Sequence, residues 1–143
     1  MDKTLKLTAS ISINASAAEV WNALTNKEMI KEYFFGTEAN TDWKEGSPIS
    51  FTGTWEGMTY EDKGTVLKIE KEKLLQHDYW SSFWGNDVGI DERSIITYEI
   101  KPGEDEQTVL TVKQEGFKDS KSRDQSIEHW EGILKNIKNL LEK

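Results

Sequence analysis

The C-terminal segment carries an apolar stripe that restricts what the rest of the chain can fold into. Apolar residues recur there at spacings of three and four, which predicts one long amphipathic helix. The stripe consists of Ile127, Trp130, Leu134, Ile137 and Leu141, with Lys135, Lys138, Asn139 and Glu142 elsewhere on the helix. Because a helix cannot bury a stripe against itself, the preceding residues must supply a large apolar surface.

Those preceding residues are typical of an antiparallel sheet. Between residues 5 and 13 the apolar side chains fall on odd positions, which predicts a strand with one buried face. Glycine and proline divide the later part of the chain, where about six further strands are expected. They include a run through Ile49, Phe51 and Trp55 and residues 65–70, 74–81, 93–100 and 108–115, with a hairpin turn at residues 102–105.

Two short helices are predicted between the first strand and the others. Ser16 can cap the first helix, with Glu19 as its reciprocal partner three residues later. A polar break at residues 25–27 precedes a second amphipathic stretch, which Gly36 ends. The expected fold class is therefore α+β, with a curved antiparallel sheet around the C-terminal helix in one domain over residues 1–143.

Charge and composition limit the classes of function. Asp and Glu outnumber Lys and Arg by 26 to 18, and the net charge of −8 disfavours binding to nucleic acid or to an anionic membrane. The chain has no cysteine, which excludes disulfides, thiolate nucleophiles and cysteine metal sites. Residues 1–9 lack the pattern of a secretory signal, so a cytoplasmic location is expected.

Several segments resemble a known superfamily. Residues 11–25, Ile-Ser-Ile-Asn-Ala-Ser-Ala-Ala-Glu-Val-Trp-Asn-Ala-Leu-Thr, are similar to the first strand and helix of the SRPBCC superfamily of START- and birch-pollen-allergen-like proteins. Residues 64–70, 74–75, 94–100, 110–112, 115–117 and 129–130 are similar to its branch of activators of the 90-kDa heat-shock-protein ATPase. The resemblance implies a helix-grip fold of order β-α-α-β6-α, with a cavity that relatives use for lipids, hormones, polyketides or other apolar molecules.

Aromatic residues are the main candidates for lining such a cavity. Rings offer contact area, and an indole or phenol can orient a polar ligand atom. Ordinary core packing is the favoured interpretation of Trp130. For Trp43, Trp55 and Trp84, which lie near predicted turns, a place at a cavity mouth or interaction surface is as well supported as packing. The predicted ligand-binding residues are Trp43, Phe51, Trp55, His77, Tyr79, Trp84, Tyr98, Val112, Trp130 and Leu134, and residues 81–93 are expected to cover the cavity entrance.

His77 is the candidate for proton transfer. It shares a strand face with Leu75 and Tyr79, and a period of two directs that face either into the cavity or to solvent. A proton shuttle is one interpretation, but a hydrogen-bonded structural histidine is favoured, because no carboxylate is spaced to orient the ring. No cluster has metal-ligand spacing, and neither a metal nor a cofactor is expected.

Three functions stay open at this point. The favoured one is a non-catalytic domain that holds an apolar, lipid- or polyketide-like small molecule between the sheet and the long helix. The resemblance implies a second, a protein-interaction module that stimulates the 90-kDa heat-shock-protein ATPase. The third is a cyclase- or aromatase-like enzyme in which His77 or Tyr79 donates or accepts a proton. The ligand's identity and the oligomeric state do not follow from the sequence.

Overall fold

The long C-terminal helix lies against an antiparallel sheet, as its apolar stripe predicts. The computed structural model describes residues 2–81 and 93–142. Within these residues the sheet has seven strands in the order β1-β7-β6-β5-β4-β3-β2. The elements are β1 (Asp2–Ile13), α1 (Ala17–Thr25), α2 (Lys27–Tyr33), β2 (Glu38–Asn40), β3 (Pro48–Trp55), β4 (Met58–Glu70), β5 (Leu74–Tyr79), β6 (Ser94–Pro102), β7 (Thr108–Phe117) and α3 (Ser120–Leu141). The predicted α+β helix-grip fold is confirmed.

The core lies between the concave face of the sheet and α3. Along β1 every even position is exposed, whereas Leu7 and Ile13 are buried, as the period of two predicts. On α3 the buried residues include Trp130 and Leu134, with 3% and 2% of their surface exposed. Complete burial of one such apolar side chain contributes roughly 1.5–3 kcal/mol, so the stripe holds the helix on the sheet.

Side chains of the expected types cap the helices. Ser16 and Glu19 form the predicted capping box at the start of α1. Asn26 serves two helices: its backbone N–H closes α1, and its side chain accepts hydrogen bonds from Glu28 N and Met29 N at the start of α2. Asp119 caps α3 by accepting a hydrogen bond from Ser122 N at 2.8 Å. The caps at Ser16 and Asn26 fix where the two short helices begin after β1.

Two glycines allow backbone geometry that a side chain would obstruct. The β3–β4 hairpin turns through Glu56 and Gly57, both with positive φ, which is the geometry of a two-residue hairpin turn. At Gly64 a Cβ atom would overlap the carbonyl oxygen of Asp78 on the neighbouring strand β5. The absence of a side chain there lets β4 and β5 approach closely beside His77.

Candidate functional site

A cavity of about 750 Å³ lies between the sheet and α3. Alternate residues of the central strands line it, because successive side chains of a strand point to opposite faces. The lining residues come from the segment after α2, from β3 to β7 and from α3; they are Phe34, Phe35, Thr37, Phe51, Thr54, Tyr60, Asp62, His77, Tyr79, Ser81, Ile96, Tyr98, Gln114, Ser126, His129 and Trp130. The inner surface is therefore mostly aromatic, with a few polar groups.

The structure brings five of the predicted ligand-binding residues together on this wall. Rings pack in a continuous series across it: the centroid of Phe51 lies 5.5 Å from that of His77 and 5.8 Å from that of Tyr79. The centroid of Tyr98 lies 6.2 Å from that of His77 and 5.8 Å from that of Trp130. The face of β5 that carries His77, left open by the sequence, points into the cavity.

The other five predicted residues are placed differently. Val112 and Leu134 are buried in the core and do not line the cavity. Trp43 is half-buried and packs against that core, also away from the cavity wall. The side chain of Trp55 and the whole of Trp84 lie outside the described residues, as does most of the segment predicted to cover the entrance. A binding role for these five residues stays a prediction.

His77 lines the cavity, and one of its ring nitrogens is hydrogen-bonded to the backbone of its own strand. The ring is buried, and Nδ1 lies 2.7 Å from the backbone oxygen of Asp78. Burial lowers the pKa of His77, although the hydrogen bond to Asp78 and the nearby Asp78 carboxylate act in the opposite direction. His77 is therefore a neutral imidazole near pH 7, oriented by a carbonyl group that spacing alone did not reveal.

A carboxylate and a phenol form a hydrogen-bonded pair on the same wall. Tyr79 Oη donates to Asp62 Oδ2 at 2.5 Å, and only 7% of the surface of Asp62 is exposed. Burial raises the pKa of Tyr79 well above its usual value, and the charge of Asp62 adds to this effect. The phenol therefore keeps its proton and holds the carboxylate oxygen in place.

An amide and an indole form a second buried pair. Trp130 Nε1 donates to Gln114 Oε1 at 2.8 Å and so joins α3 to β7. The amide nitrogen of Gln114 has no hydrogen-bond partner among the described residues. Tyr98 Oη likewise has none there, and burial raises the pKa of this phenol. Both groups face the cavity and can bind a polar atom of a guest molecule.

The exposed members of the lining mark the mouth of the cavity. Phe35 is 69% exposed and adopts a positive φ of 54° in the turn after α2, a backbone conformation that is rare for a bulky residue. Its ring lies 6.3 Å from that of His129 on α3. Partial burial lowers the pKa of His129. Thr54, which is also exposed, lines the cavity from β3.

Asp78 lies on the opposite face of β5 from His77 and is also buried. Its Oδ1 atom accepts a hydrogen bond from Thr65 N at 2.7 Å and lies 3.3 Å from Arg93 Nη1. Its Oδ2 atom has no hydrogen-bond partner within the described parts of the chain. This carboxylate therefore supports β4 and β5 from behind the cavity wall.

Asp62, Gln114 and the Phe34–Phe35 turn were not among the predicted site residues. Gln114 left a signal, because it follows Leu110 and Val112 on the inward positions of β7 and is therefore a polar residue on a buried face. Asp62 left no such signal, because it lies between the charged residues Glu61 and Lys63 and so resembles an exposed turn residue. Phe34 follows the period of the second amphipathic stretch, which predicts a buried side chain but not a cavity wall, and Phe35 falls outside that period.

A second concavity, of about 790 Å³, lies at the opposite end of the sheet. Its walls come from the start of α1 and from the β4–β5 and β6–β7 turns, and six of the fourteen residues that line it are charged. The described residues contain no cluster of three or more His, Cys, Asp or Glu side chains able to hold a metal ion. Nor does any helix in the described ranges have the length and apolar character required to span a membrane.

Comparisons with known proteins agree with the helix-grip architecture. The family model described as activator of Hsp90 ATPase homolog 1-like protein matches residues 14–142. The chain belongs to this family. A similar solved member of the fold is ChR145 from Cytophaga hutchinsonii, which is 34% identical, with 99% of this chain and 97% of that chain covered and a TM-score of 0.84.

More distant structures share the fold of this activator-like protein. The Aha1 dimer from Colwellia psychrerythraea is 16% identical over 96% of both chains, with a TM-score of 0.74. DynU16, from the dynemicin biosynthetic locus, is 17% identical with a TM-score of 0.79; the match covers 97% of this chain but only 48% of DynU16. No curated protein sequence matches the chain.

Proposed function

We propose that this domain binds an apolar small molecule between its sheet and α3. The observation that carries the proposal is an aromatic cavity of about 750 Å³ whose wall includes polar atoms without partners among the described residues. An unsatisfied polar group costs free energy when it is removed from water. A ligand with matching polar atoms would satisfy those groups while its apolar surface covers the rings.

Apolar contact alone would give modest affinity. A ligand that buries ~300 Å² of apolar surface gains ~7 kcal/mol at ~25 cal/mol/Å², before the costs of association and ordering are subtracted. Useful affinity therefore requires a polar anchor in addition to the rings. The amide of Gln114 and the imidazole of His77 are the candidate anchors, because both are buried on the cavity wall.

Native mass spectrometry of the freshly purified protein tests the proposal directly. A retained small molecule should be seen as added mass, and hydrophobic metabolites should raise the melting temperature in proportion to the logarithm of their concentration above Kd. Ser126→Trp places an indole in the cavity and should abolish both effects. Gln125→Trp is the matched control, because Gln125 is exposed on the same helix and does not line the cavity.

The proposal fails if neither measurement detects a guest across a broad panel of apolar compounds. It also fails if Ser126→Trp and Gln125→Trp retain the same ligand equally well. Both variants must first show the wild-type circular dichroism spectrum, so that a loss of binding reports on the cavity and not on folding.

Family membership favours a second candidate, stimulation of a 90-kDa heat-shock-protein ATPase. The exposed apolar side chains of Phe35 and Met58, 69% and 63% exposed, support it, because such groups can form the centre of a protein interface. Addition of the protein to a purified ATPase of this class should raise the rate of ATP hydrolysis, and Phe35→Ser with Met58→Ser should reduce that effect. Equal stimulation by the variant would exclude these side chains as contacts.

A further inference from the structure

We infer that the cavity selects neutral ligands that carry a hydroxyl group, and that the imidazole of His77 accepts the hydrogen bond from that hydroxyl. The inference rests on the proposed small-molecule function and specifies the chemistry of its ligand. The basis for the inference is the set of hydrogen-bond donors and acceptors on the cavity wall.

The hydrogen bond at Nδ1 fixes the tautomer of His77. Its partner is the backbone oxygen of Asp78, 2.7 Å away, and a carbonyl oxygen can only accept. Nδ1 must therefore carry the proton. In a neutral imidazole the other nitrogen, Nε2, then has a free lone pair and can only accept a hydrogen bond.

The surroundings of His77 keep the ring neutral. Only 3% of its surface is exposed, and the ring centroids of Phe51 and Tyr98 lie 5.5 Å and 6.2 Å from its own. Burial lowers the pKa of His77 despite the Asp78 carboxylate behind the strand. The described residues offer Nε2 no hydrogen-bond donor. A hydroxyl group of a guest molecule is the complementary donor.

Gln114 supplies the opposite kind of anchor. Because its Oε1 atom already accepts from Trp130 Nε1, its amide nitrogen is left to donate. A carbonyl or ether oxygen on the ligand would accept from it. The wall thus offers an acceptor at His77 and a donor at Gln114 among aromatic rings, beside the hydroxyl of Tyr98, which can do either. This combination fits an aromatic molecule that bears both a hydroxyl group and an acceptor oxygen.

The same wall disfavours carboxylate ligands. The described lining residues include no lysine or arginine, whereas Asp62 contributes a carboxylate of its own. A buried carboxylate without a cationic partner carries a large desolvation cost. The net charge of −8 adds an unfavourable long-range field. Fatty acids in their ionised form are therefore poor candidates.

Three biphenyl probes test this selectivity by isothermal titration calorimetry. 4-Phenylphenol carries a hydroxyl donor, 4-methoxybiphenyl replaces that donor with a methyl ether, and biphenyl-4-carboxylate is an anion of similar shape. The phenol should bind about three- to ten-fold more tightly than the ether, which corresponds to one neutral hydrogen bond. The carboxylate should bind at least about ten-fold more weakly than the phenol.

Three variants and one spectrum assign the effect to His77. His77→Phe keeps an aromatic ring but removes the acceptor, so the advantage of the phenol over the ether should disappear. Tyr33→Phe is the control, because Tyr33 is buried and does not line the cavity, and it should retain that advantage. Tyr98→Phe removes the other hydroxyl on the cavity wall and so tests Tyr98 as the alternative acceptor. If His77→Phe does not fold, imidazole ¹⁵N spectra of the wild type serve instead: 4-phenylphenol should shift the Nε2 resonance more than 4-methoxybiphenyl does.

The outcomes separate this inference from the proposed function. Failure of all three probes and of the wider apolar panel would contradict small-molecule binding itself. Binding of the phenol and the ether with equal affinity, or a carboxylate that binds as tightly as the phenol, would overturn the hydroxyl selectivity alone. Loss of the phenol's advantage in Tyr98→Phe would move the acceptor from His77 to Tyr98 and would also overturn the inference.

Discussion

Trp130 Nε1 on the C-terminal helix donates a hydrogen bond to Gln114 Oε1 on strand β7, 2.8 Å away and buried on both sides. This is a buried polar contact between the helix and the sheet. The indole therefore packs against the ring of Tyr98 and satisfies a buried amide oxygen at the same time. Loss of the indole therefore removes both the ring packing and the hydrogen bond that stabilise the helix on the sheet.

Substitution of Trp130 should separate these two contributions. Trp130→Ala should lower the free energy of unfolding by about 3–5 kcal/mol through cavity formation. Trp130→Phe keeps much of the volume but leaves Gln114 Oε1 unsatisfied, which should cost about 1–3 kcal/mol. Urea unfolding followed by circular dichroism measures both. Addition of Gln114→Met to Trp130→Phe should recover part of the lost free energy of unfolding. An unchanged urea midpoint for Trp130→Ala would contradict the burial of Trp130 between α3 and the sheet.

Two glycines give opposite expectations for the same substitution. Gly64→Ala forces a methyl group onto the carbonyl oxygen of Asp78, and overpacking of this kind typically costs about 1–3 kcal/mol. Gly132→Ala on α3 meets nothing within 4 Å and should raise stability by about 0.5–1 kcal/mol, because alanine favours the helix. Thermal unfolding of the two variants should give shifts of opposite sign. A Gly64→Ala variant as stable as the wild type would show that β4 and β5 can separate freely.

Mild acid should weaken the fold through His77. Its pKa is lowered in the folded state, so below about 6.5 the unfolded chain binds a proton that the folded protein does not. The contribution of neutral His77 to the free energy of unfolding is fully present above that pH and is lost as the pH falls toward the folded-state pKa. Burial raises the pKa of Tyr79 and Tyr98, which flank the ring, so they do not titrate in this window. Urea unfolding between pH 5 and 7.5 measures how the free energy of unfolding changes with pH.

Variants of the two histidines serve as controls for the acid effect. His77→Phe should flatten the dependence on pH, whereas His129→Gln should remove only a smaller part, because His129 is more exposed. The opposite ranking, or a slope that neither variant changes, would contradict the assignment to His77.

Alkaline pH should destabilise the fold through its buried tyrosines. Burial raises the pKa of Tyr33, Tyr79 and Tyr98. Tyrosine in the unfolded chain ionises near pH 10. The contribution of the buried tyrosines to the free energy of unfolding is therefore fully present below that pH and is lost as the pH rises above it. Tyr98→Phe should reduce the slope of unfolding free energy against pH in this range. Ionisation of all four tyrosines near pH 10 in the folded protein, followed by ultraviolet absorbance, would refute this expectation.

The site is expected to bind without turnover. Each compound that stabilises the protein should be recovered unchanged after incubation, as judged by mass spectrometry. Formation of a product that disappears in His77→Ala or Tyr79→Phe, while the circular dichroism spectrum is retained, would contradict this and favour the cyclase-like alternative. Tyr33→Phe is the control, because Tyr33 is buried away from the cavity.

The strand faces explain why part of the site could be predicted. Phe51, Tyr79 and Tyr98 are large apolar residues in alternating runs, and their position on the cavity wall follows from the period of two. Val112 obeys the same period but lies deeper in the core. Periodicity identifies the buried face of a strand without indicating where along the strand the helix leaves a space. That information depends on contacts with α3.

The polar members of the wall depend on contacts between distant segments. Asp62 reads as part of a charged turn, yet strand β4 begins at Met58 and Tyr79, 17 residues later, donates a hydrogen bond to its carboxylate. The orientation of His77 is similarly hidden, because its partner is a backbone oxygen and backbone groups leave no residue signature. Side-chain patterns alone therefore predict the shape of the fold better than its hydrogen bonds.

The placement of Trp130 makes its intrinsic fluorescence a probe of ligand binding. Its indole forms part of the cavity wall and is shielded from water, so a guest molecule that stacks nearby should quench its fluorescence or accept its excitation energy. Trp130→Phe would remove that signal and leave the emission of the remaining tryptophans as a baseline. Occupancy could then be followed without any attached dye.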